Sequence, residues 1–193
     1  MAKPFVIGLT GSIGMGKSQT AKFFAEQGVP VFDSDGAVHA LYAGPAATMI
    51  EAAFPGSTKS GQVDRAALAR QVTGDAAALA RLEGIIHPLV ADARDQFLKE
   101  AQAPIVLLDV PLLLETGLAV DAIVVATAPL GVQRARVLAR PGMTQEKFDA
   151  LLGRQMPDAD KRARAHYLVI TDKGLDHARE QVKMILADIK TKL

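Results

Sequence analysis

The chain has 193 residues, a length that predicts one domain, with inserted segments at most. It has no cysteine, which excludes a disulfide scaffold, a thiolate zinc site, an iron–sulfur cluster and a cysteine nucleophile, and which fits a reducing compartment. The net charge is +1, no stretch approaches the roughly 20 apolar residues of a membrane span, and the first residues have no signal-peptide pattern. We therefore expect a soluble cytoplasmic protein that binds neither nucleic acid nor membranes.

Five short apolar runs are rich in β-branched residues and nearly continuous rather than alternating. This pattern is typical of strands covered on both faces, as in a parallel sheet. The predicted strands span residues 5–9, 29–32, 105–108, 122–126 and 167–170.

Helical patterns lie between these strands, which together predict a doubly wound α/β fold. The predicted helices span 18–27, 76–100 with an interruption at Pro88, and a final amphipathic stripe from Leu175 to Leu193. Residues 36–100 contain no convincing strand, so we expect a helical insertion there, with a loop at Pro55 and Gly56.

The segment between the first strand and the first helix matches the pattern G-x-x-x-x-G-K-[ST] over residues 11–18. Its backbone N–H groups and the start of the helix would hold phosphate oxygens. Lys17 would reach the β- and γ-phosphates, and the Ser18 hydroxyl would bind Mg²⁺. The alternative is a glycine-rich turn that binds no ligand. Thr10 either hydrogen-bonds in the site or is an ordinary strand-end threonine. The expected nucleotide-binding residues of this segment are Gly14, Met15, Gly16, Lys17, Ser18 and Gln19.

Acidic residues follow two of the predicted strands, at the sheet edge where ligands of open parallel sheets bind. Asp33 and Asp35 follow the second strand, and Asp109 follows the third. In phosphoryl transfer one carboxylate holds the metal and another accepts the proton of the attacking hydroxyl. Asp109 suits the metal, and Asp35 is favoured over Asp33 as the base. Helix capping is the alternative for Asp33 and Asp35.

Residues 134–164 carry eight basic and four acidic side chains, which makes this segment locally +4. Arg136 and Arg140 are four residues apart and are expected on one helix face, with Thr144 capping the next helix. We interpret the segment as a lid whose arginines, Arg140 above all, stabilise charge on the transferred phosphoryl group. The alternative is a solvated helical face. The four histidines have no metal-ligand spacing, and His87 before Pro88 would on its own be structural more often than functional.

Taken together, these motifs resemble the dephospho-coenzyme A kinase family over about residues 5–190. The similarity lies in G-L-T-G-S-I-G-M-G-K-S from Gly8, V-F-D-S-D from Val31, L-E-G-I-I-H-P-L-V from Leu82, D-V-P-L-L-L-E from Asp109, and Gln133, Arg136 and Arg140 followed by Gln155-Met156-Pro157.

The resemblance implies a phosphate-loop NTPase fold with a five-stranded parallel sheet, and phosphorylation of the ribose 3′-hydroxyl of dephospho-coenzyme A by MgATP, without a phosphoenzyme. It implies one kinase domain with a core at about 1–35, 101–130 and 165–193, an acceptor-binding insertion at about 36–100, and a lid at about 131–164. It assigns Lys17, Asp33, Asp35 and Arg140 to catalysis and Arg136 to the nucleotide. The implied acceptor-binding residues are Thr10, Asp33, His87, Asp109, Leu112 and Glu115.

The sequence departs from the family pattern in two places. Ser12 and Met15 occupy variable positions of the phosphate loop. Near the last strand, where the family has an asparagine and holds the base, Thr171 or Asp172 stands instead, so these residues leave the choice between ATP and other triphosphates open.

Two other functions compete with this interpretation. Another phosphate-loop kinase, acting on a nucleoside monophosphate or on a shikimate-like hydroxyl, would share the fold, and the His87-Pro88 and Asp109-Val110-Pro111 motifs argue against it. A GTP-dependent switch would need an N-K-x-D motif, which is absent from the sequence. The oligomeric state does not follow from the sequence.

Overall fold

The computed structural model describes residues 3–193, which form two compact units. One unit comprises the described residues up to Phe32 together with Ala101–Leu193, and the other is Asp33–Glu100. In chain order the strands are β1 Phe5–Thr10, β2 Val31–Asp33, β3 Thr58–Lys59, β4 Gln62–Val63, β5 Ile105–Asp109, β6 Ala122–Thr127 and β7 Tyr167–Ile170. The helices are α1 Lys17–Glu26, α2 Ser34–Tyr42, α3 Ala47–Ala53, α4 Arg65–Val72, α5 Ala76–Glu100, α6 Leu113–Thr116, α7 Leu130–Leu138, α8 Gln145–Leu152, α9 Asp158–Ala163 and α10 Leu175–Lys190.

The predicted five-stranded parallel sheet is confirmed, with strand order β2-β5-β1-β6-β7. In the parallel register Phe5 pairs with Ile105 and Ile7 with Ala122, and Val124 pairs with Tyr167 on the far strand. The phosphate-loop motif therefore follows the central strand, β1, and Asp109 lies at the end of the neighbouring strand, β5.

Both faces of the central strands are buried, which explains their continuous apolar sequence. Phe23 and Phe24 of α1 and the stripe of α10 pack on the sheet. Of the stripe predicted from the sequence, the middle five residues are buried and the two ends, Leu175 and Leu193, are exposed.

The second unit packs its helices around a separate apolar cluster that includes Ile50, Phe54, Leu68 and Leu82. It also contains a hairpin, β3 with β4, although no strand was expected there. Each strand has only two residues and little apolar character, so periodicity gives no signal. The backbone angles identify the turn between the strands as type I′, because Ser60 has φ 52° and Gly61 has φ 77°.

Helix α5 runs through Pro88 without a break, so the predicted interruption is wrong. A proline removes one backbone N–H donor, whereas apolar residues on both sides of it, Ile86 and Leu89 among them, pack on the same cluster. Packing thus outweighs the lost hydrogen bond. None of the helices within residues 3–193 is long and apolar enough to cross a membrane.

Candidate active site

The phosphate-loop motif forms the predicted strand–loop–helix, and two glycines make its turns. Gly14 has φ 78° and Gly16 has φ 88°, a backbone region that disfavours other residues. Gly16 is also the N-cap of α1, so the N–H groups of the first helical turn point toward the loop. A Cβ atom on Gly14 would lie 2.5 Å from Cγ2 of Val137, which shows how closely α7 approaches the loop.

Lys17 and Asp109, predicted separately, are in direct contact. Nζ of Lys17 lies 2.6 Å from Oδ1 of Asp109, and their side chains are only 13% and 7% exposed. Ser18 follows in the first turn of α1 and is exposed. The structure therefore gathers a lysine ammonium, a carboxylate and a hydroxyl at the end of the two central strands.

Two glutamine side chains, one just before and one within the arginine-rich segment, hold the backbone of the loop. Nε2 of Gln133, in α7, donates to the carbonyl of Ile13 at 2.7 Å, and the Ile13 N–H donates to Oε1 of Gln155 at 3.1 Å. Gln133 is buried. Both backbone polar groups of Ile13 are thus bound by residues of the segment predicted as a lid.

Thr171 links the loop to Arg136. Its hydroxyl donates to the Met15 carbonyl at 2.9 Å and accepts from Nη1 of Arg136 at 2.9 Å. Nη2 of Arg136 donates to the Thr171 carbonyl at 2.6 Å. A Cβ atom on Gly16 would lie 3.1 Å from Thr171, so the threonine also packs against the loop. Thr171 is one of the two residues, with Asp172, at which the sequence departs from the family pattern near the last strand.

A cavity of about 290 Å³ opens beside the loop. It brings together five residues predicted for nucleotide binding or catalysis, Gly14, Gly16, Gln19, Arg136 and Arg140. The other lining residues are Thr20, Phe23, Thr171, Leu175 and Ala178. The exposed side chain of Leu175 together with two arginines suits a flat heteroaromatic ring that is joined to an anionic chain.

The expectation that Arg136 and Arg140 share a helix face is wrong. Helix α7 ends at Leu138, and Arg140 lies in the following turn, where its N–H donates to the Val137 carbonyl at 3.0 Å. Pro141 and Gly142 end the helix earlier than spacing suggests. The Thr144 cap is confirmed, since its hydroxyl accepts from the Lys147 N–H.

Three residues that the resemblance assigns to the acceptor lie at the end of β1 or in the segment after β5. Thr10 is fully buried, and its hydroxyl donates to the Pro111 carbonyl at 2.9 Å. Leu112 is 42% exposed. Glu115 forms an ion pair with Lys161 at 2.7 Å. Burial alone would raise the pKa of Glu115, but hydrogen bonds from Lys161 and from the Met156 N–H outweigh it and lower the pKa below its usual 4.5.

The remaining predicted residues lie in the second unit. Asp33 ends β2 and caps α2, because its Oδ1 accepts the N–H of Asp35 at 3.0 Å. Asp35 is exposed in the first turn of α2, and His87 is exposed on α5. Asp35 lines an open groove of about 520 Å³. Its other lining residues are Val38, Tyr42, Arg65, Leu68, Ala69, Val72 and Leu82.

Sequence reasoning missed the contacts of Thr171 and Lys161. Both meet partners far along the chain, with no local spacing to reveal them. Lys161 was counted within a basic run, yet its side chain is fully buried. The only available signal for either residue was its position beside a family motif.

The sheet order, the loop on the central strand and the Lys17–Asp109 pair define a phosphate-loop kinase. A family model described as dephospho-CoA kinase matches residues 5–177. The chain belongs to the dephospho-CoA kinase family and is a kinase of coenzyme A biosynthesis.

Curated relatives support this assignment along nearly the whole chain. Dephospho-CoA kinases of Rhodopseudomonas palustris strain BisB18 and of Mesorhizobium japonicum are each 57% identical, over 94% and 96% of both chains respectively. A solved structure, TT1252 from Thermus thermophilus, superimposes with a TM-score of 0.86 at 34% identity, over 97% of this chain and 98% of that one. A shikimate kinase from Acinetobacter baumannii has a TM-score of 0.56 at 20% identity, over 98% of this chain and 94% of that one, and shares the fold.

Proposed function

We propose that this chain transfers the γ-phosphoryl group of ATP to the ribose 3′-hydroxyl of dephospho-coenzyme A and releases coenzyme A and ADP. The observation that carries the proposal is the phosphate loop itself, with Lys17 held against Asp109 at 2.6 Å beside a cavity lined by two arginines. We also propose a cytoplasmic location, since both substrates belong to the metabolism of that compartment.

The cavity beside the loop is the proposed nucleotide site. Leu175, which is 60% exposed, offers apolar surface to the base, and Arg136, bound to Thr171 through two nitrogens, would lie beside it. The phosphates would then follow the N–H groups of residues 14–18. Lys17 would leave Asp109 for the β- and γ-phosphates, because two phosphate charges attract the ammonium more strongly than one carboxylate does.

The donor atoms near Lys17 fit a magnesium ion. Mg²⁺ prefers oxygen ligands and is held in kinases by one or two protein oxygens together with phosphates and water. Ser18 supplies a hydroxyl in the first turn of α1, and Asp109 supplies a carboxylate at the end of β5. When bound, the ion would neutralise charge on the phosphates.

We propose that the acceptor occupies the groove lined by Asp35, with Asp35 taking the proton of the attacking hydroxyl. Asp33 is engaged as the cap and fixes the first turn that carries Asp35. His87, Leu112 and Thr10 remain proposed acceptor-binding residues, and Arg140 would stabilise the phosphoryl group during direct in-line transfer.

The test is ADP release from MgATP with dephospho-coenzyme A, with AMP, CMP and shikimate as control acceptors. We expect turnover with dephospho-coenzyme A alone and coenzyme A as the product. Activity on a control acceptor but not on dephospho-coenzyme A would support the proposed phosphoryl transfer and refute the proposed acceptor substrate.

The role of Asp35 is tested by Asp35→Asn, which we expect to lower kcat by about 10²-fold or more while ATP affinity stays unchanged. The matched control is Asp92→Asn, an exposed carboxylate on α5 of the same unit, which should keep wild-type rates. If kcat of Asp35→Asn stays within a few-fold of wild type, the base is another group.

A further inference from the structure

A fully buried lysine lies within the segment predicted as the lid. Lys161 of α9 has a side chain with 0% exposure, and its Nζ donates to Oε1 of Glu115 at 2.7 Å. The same oxygen accepts the N–H of Met156 at 3.0 Å. A cation removed from water needs a close anionic partner, so Glu115 fixes this segment to the turn after β5.

The residue before Met156 in the chain reaches the phosphate loop. Oε1 of Gln155 accepts the Ile13 N–H at 3.1 Å. Glu115 binds the backbone immediately after Gln155, and the Lys161 pair binds the helix that follows. The contacts of Glu115 therefore fix the backbone that carries the Gln155 side chain.

We propose that Glu115 is a positioning residue for the phosphate loop and acts on Ile13 through Gln155. The resemblance assigns Glu115 to the acceptor, but the Oε1 atom is engaged by Lys161 and Met156. The proposal rests on the proposed function for its effect on nucleotide affinity. Its structural part, the restraint of Ile13, stands independently of any substrate.

Two measurements test the proposal on the full chain. Amide hydrogen exchange, followed by NMR, reports whether the Ile13 N–H keeps its acceptor, and calorimetric titration with MgADP reports the state of the loop. Glu115→Gln removes the carboxylate charge, and Gln155→Leu removes the Ile13 acceptor without changing the ion pair. The matched control is Glu180→Gln, because Glu180 pairs with Lys183 at 2.6 Å on the surface of α10 with a side chain 62% exposed.

We expect both variants to accelerate exchange at Ile13 and to raise the Kd for MgADP, each by about tenfold. The double variant should be no worse than Gln155→Leu alone, because both substitutions break the same chain of contacts. The KM for dephospho-coenzyme A should stay unchanged, and Glu180→Gln should match wild type in all three measurements.

If Glu115→Gln does not fold, Glu115→Leu combined with Lys161→Met replaces the buried pair with apolar side chains and, unlike Glu115→Gln, also removes the acceptor of the Met156 N–H. This variant should show the same faster exchange at Ile13. Wild-type exchange at Ile13 in every folded Glu115 variant would overturn the proposal. A rise in the KM for dephospho-coenzyme A with unchanged MgADP affinity would instead make Glu115 an acceptor contact. Failure of the wild-type chain to bind MgADP would refute the proposed function, and exchange at Ile13 would still decide the positioning role.

Discussion

Gly14 is the position where a single methyl group disturbs the phosphate loop most directly. Its φ is 78°, and an added Cβ atom would meet Cγ2 of Val137 at 2.5 Å and the carbonyl oxygen of Gln133 at 3.0 Å. Val137 is fully buried and β-branched, so it cannot rotate away. The Gln133 oxygen belongs to the backbone of α7. Gly14→Ala must therefore move either the loop or the helix.

The cost of Gly14→Ala has two parts. A left-handed backbone costs a residue with a Cβ atom about 1–2 kcal/mol. Inserting a methyl group into a packed site costs about 1–3 kcal/mol more. Together they predict a loss of roughly 2–5 kcal/mol in the free energy of unfolding.

Gly28→Ala is the matched control for this prediction. Gly28 has φ 79°, almost the same as Gly14, but its added Cβ atom would have no neighbour within 4 Å. Both substitutions restrict the unfolded chain equally, so that effect cancels in the comparison. Equilibrium urea unfolding should show Gly14→Ala less stable than Gly28→Ala by about 1–3 kcal/mol, the packing part alone. Equal losses in the two variants would refute the close approach of α7 to the loop.

Three further outcomes are expected. Lys17→Ala should lower kcat by about 10²-fold or more with the far-UV circular dichroism spectrum retained, and wild-type rates would contradict the phosphate-loop assignment. Thr171→Val removes the hydroxyl between Arg136 and the Met15 carbonyl and should raise the Kd for MgADP by about tenfold, whereas Thr171→Ser should restore it; unchanged affinity would contradict the link. Because the pKa of Glu115 is lowered from 4.5, its contribution to the free energy of unfolding is present above that pH and is lost as the pH falls through the folded pKa. The stability difference between wild type and Glu115→Gln, measured by urea unfolding, should therefore stay constant above about pH 4.5 and shrink as the pH falls below it, and a difference that does not change on acidification would refute the lowered pKa.

The sheet and the phosphate loop could be predicted because their signals are local. A buried parallel strand is a continuous apolar run, and the loop motif is a fixed spacing of glycines before a lysine. The hairpin at residues 58–63 escaped detection because its strands have two residues each. The continuity of α5 was missed because the effect of Pro88 depends on what the helix packs against, and packing is not visible in spacing.

The site was predictable residue by residue, but its internal contacts were not. Lys17, Asp109, Arg136 and Arg140 were identified from motifs, and the structure brings them into one pair and one cavity. Burial of Lys161 could not be inferred, since a lysine in a basic run is normally solvated. Its contact with Glu115 joins residues 46 positions apart, and only the fold reveals it.

Long-range hydrogen bonds to the phosphate loop determine when the conformational entropy of the loop is lost, during folding or during nucleotide binding. Gln133, Gln155, Arg136 and Thr171 bind the backbone of residues 13–15 from positions 120 to 156 residues away in the chain. Fixing one residue costs about 1–2 kcal/mol of conformational entropy. The loop loses that entropy when the chain folds, so a nucleotide meets a preorganised anion site. Affinity for the phosphates is consequently a property of the whole first unit, and substitutions that loosen α7 or the turn after β7 should weaken it without touching the ligand.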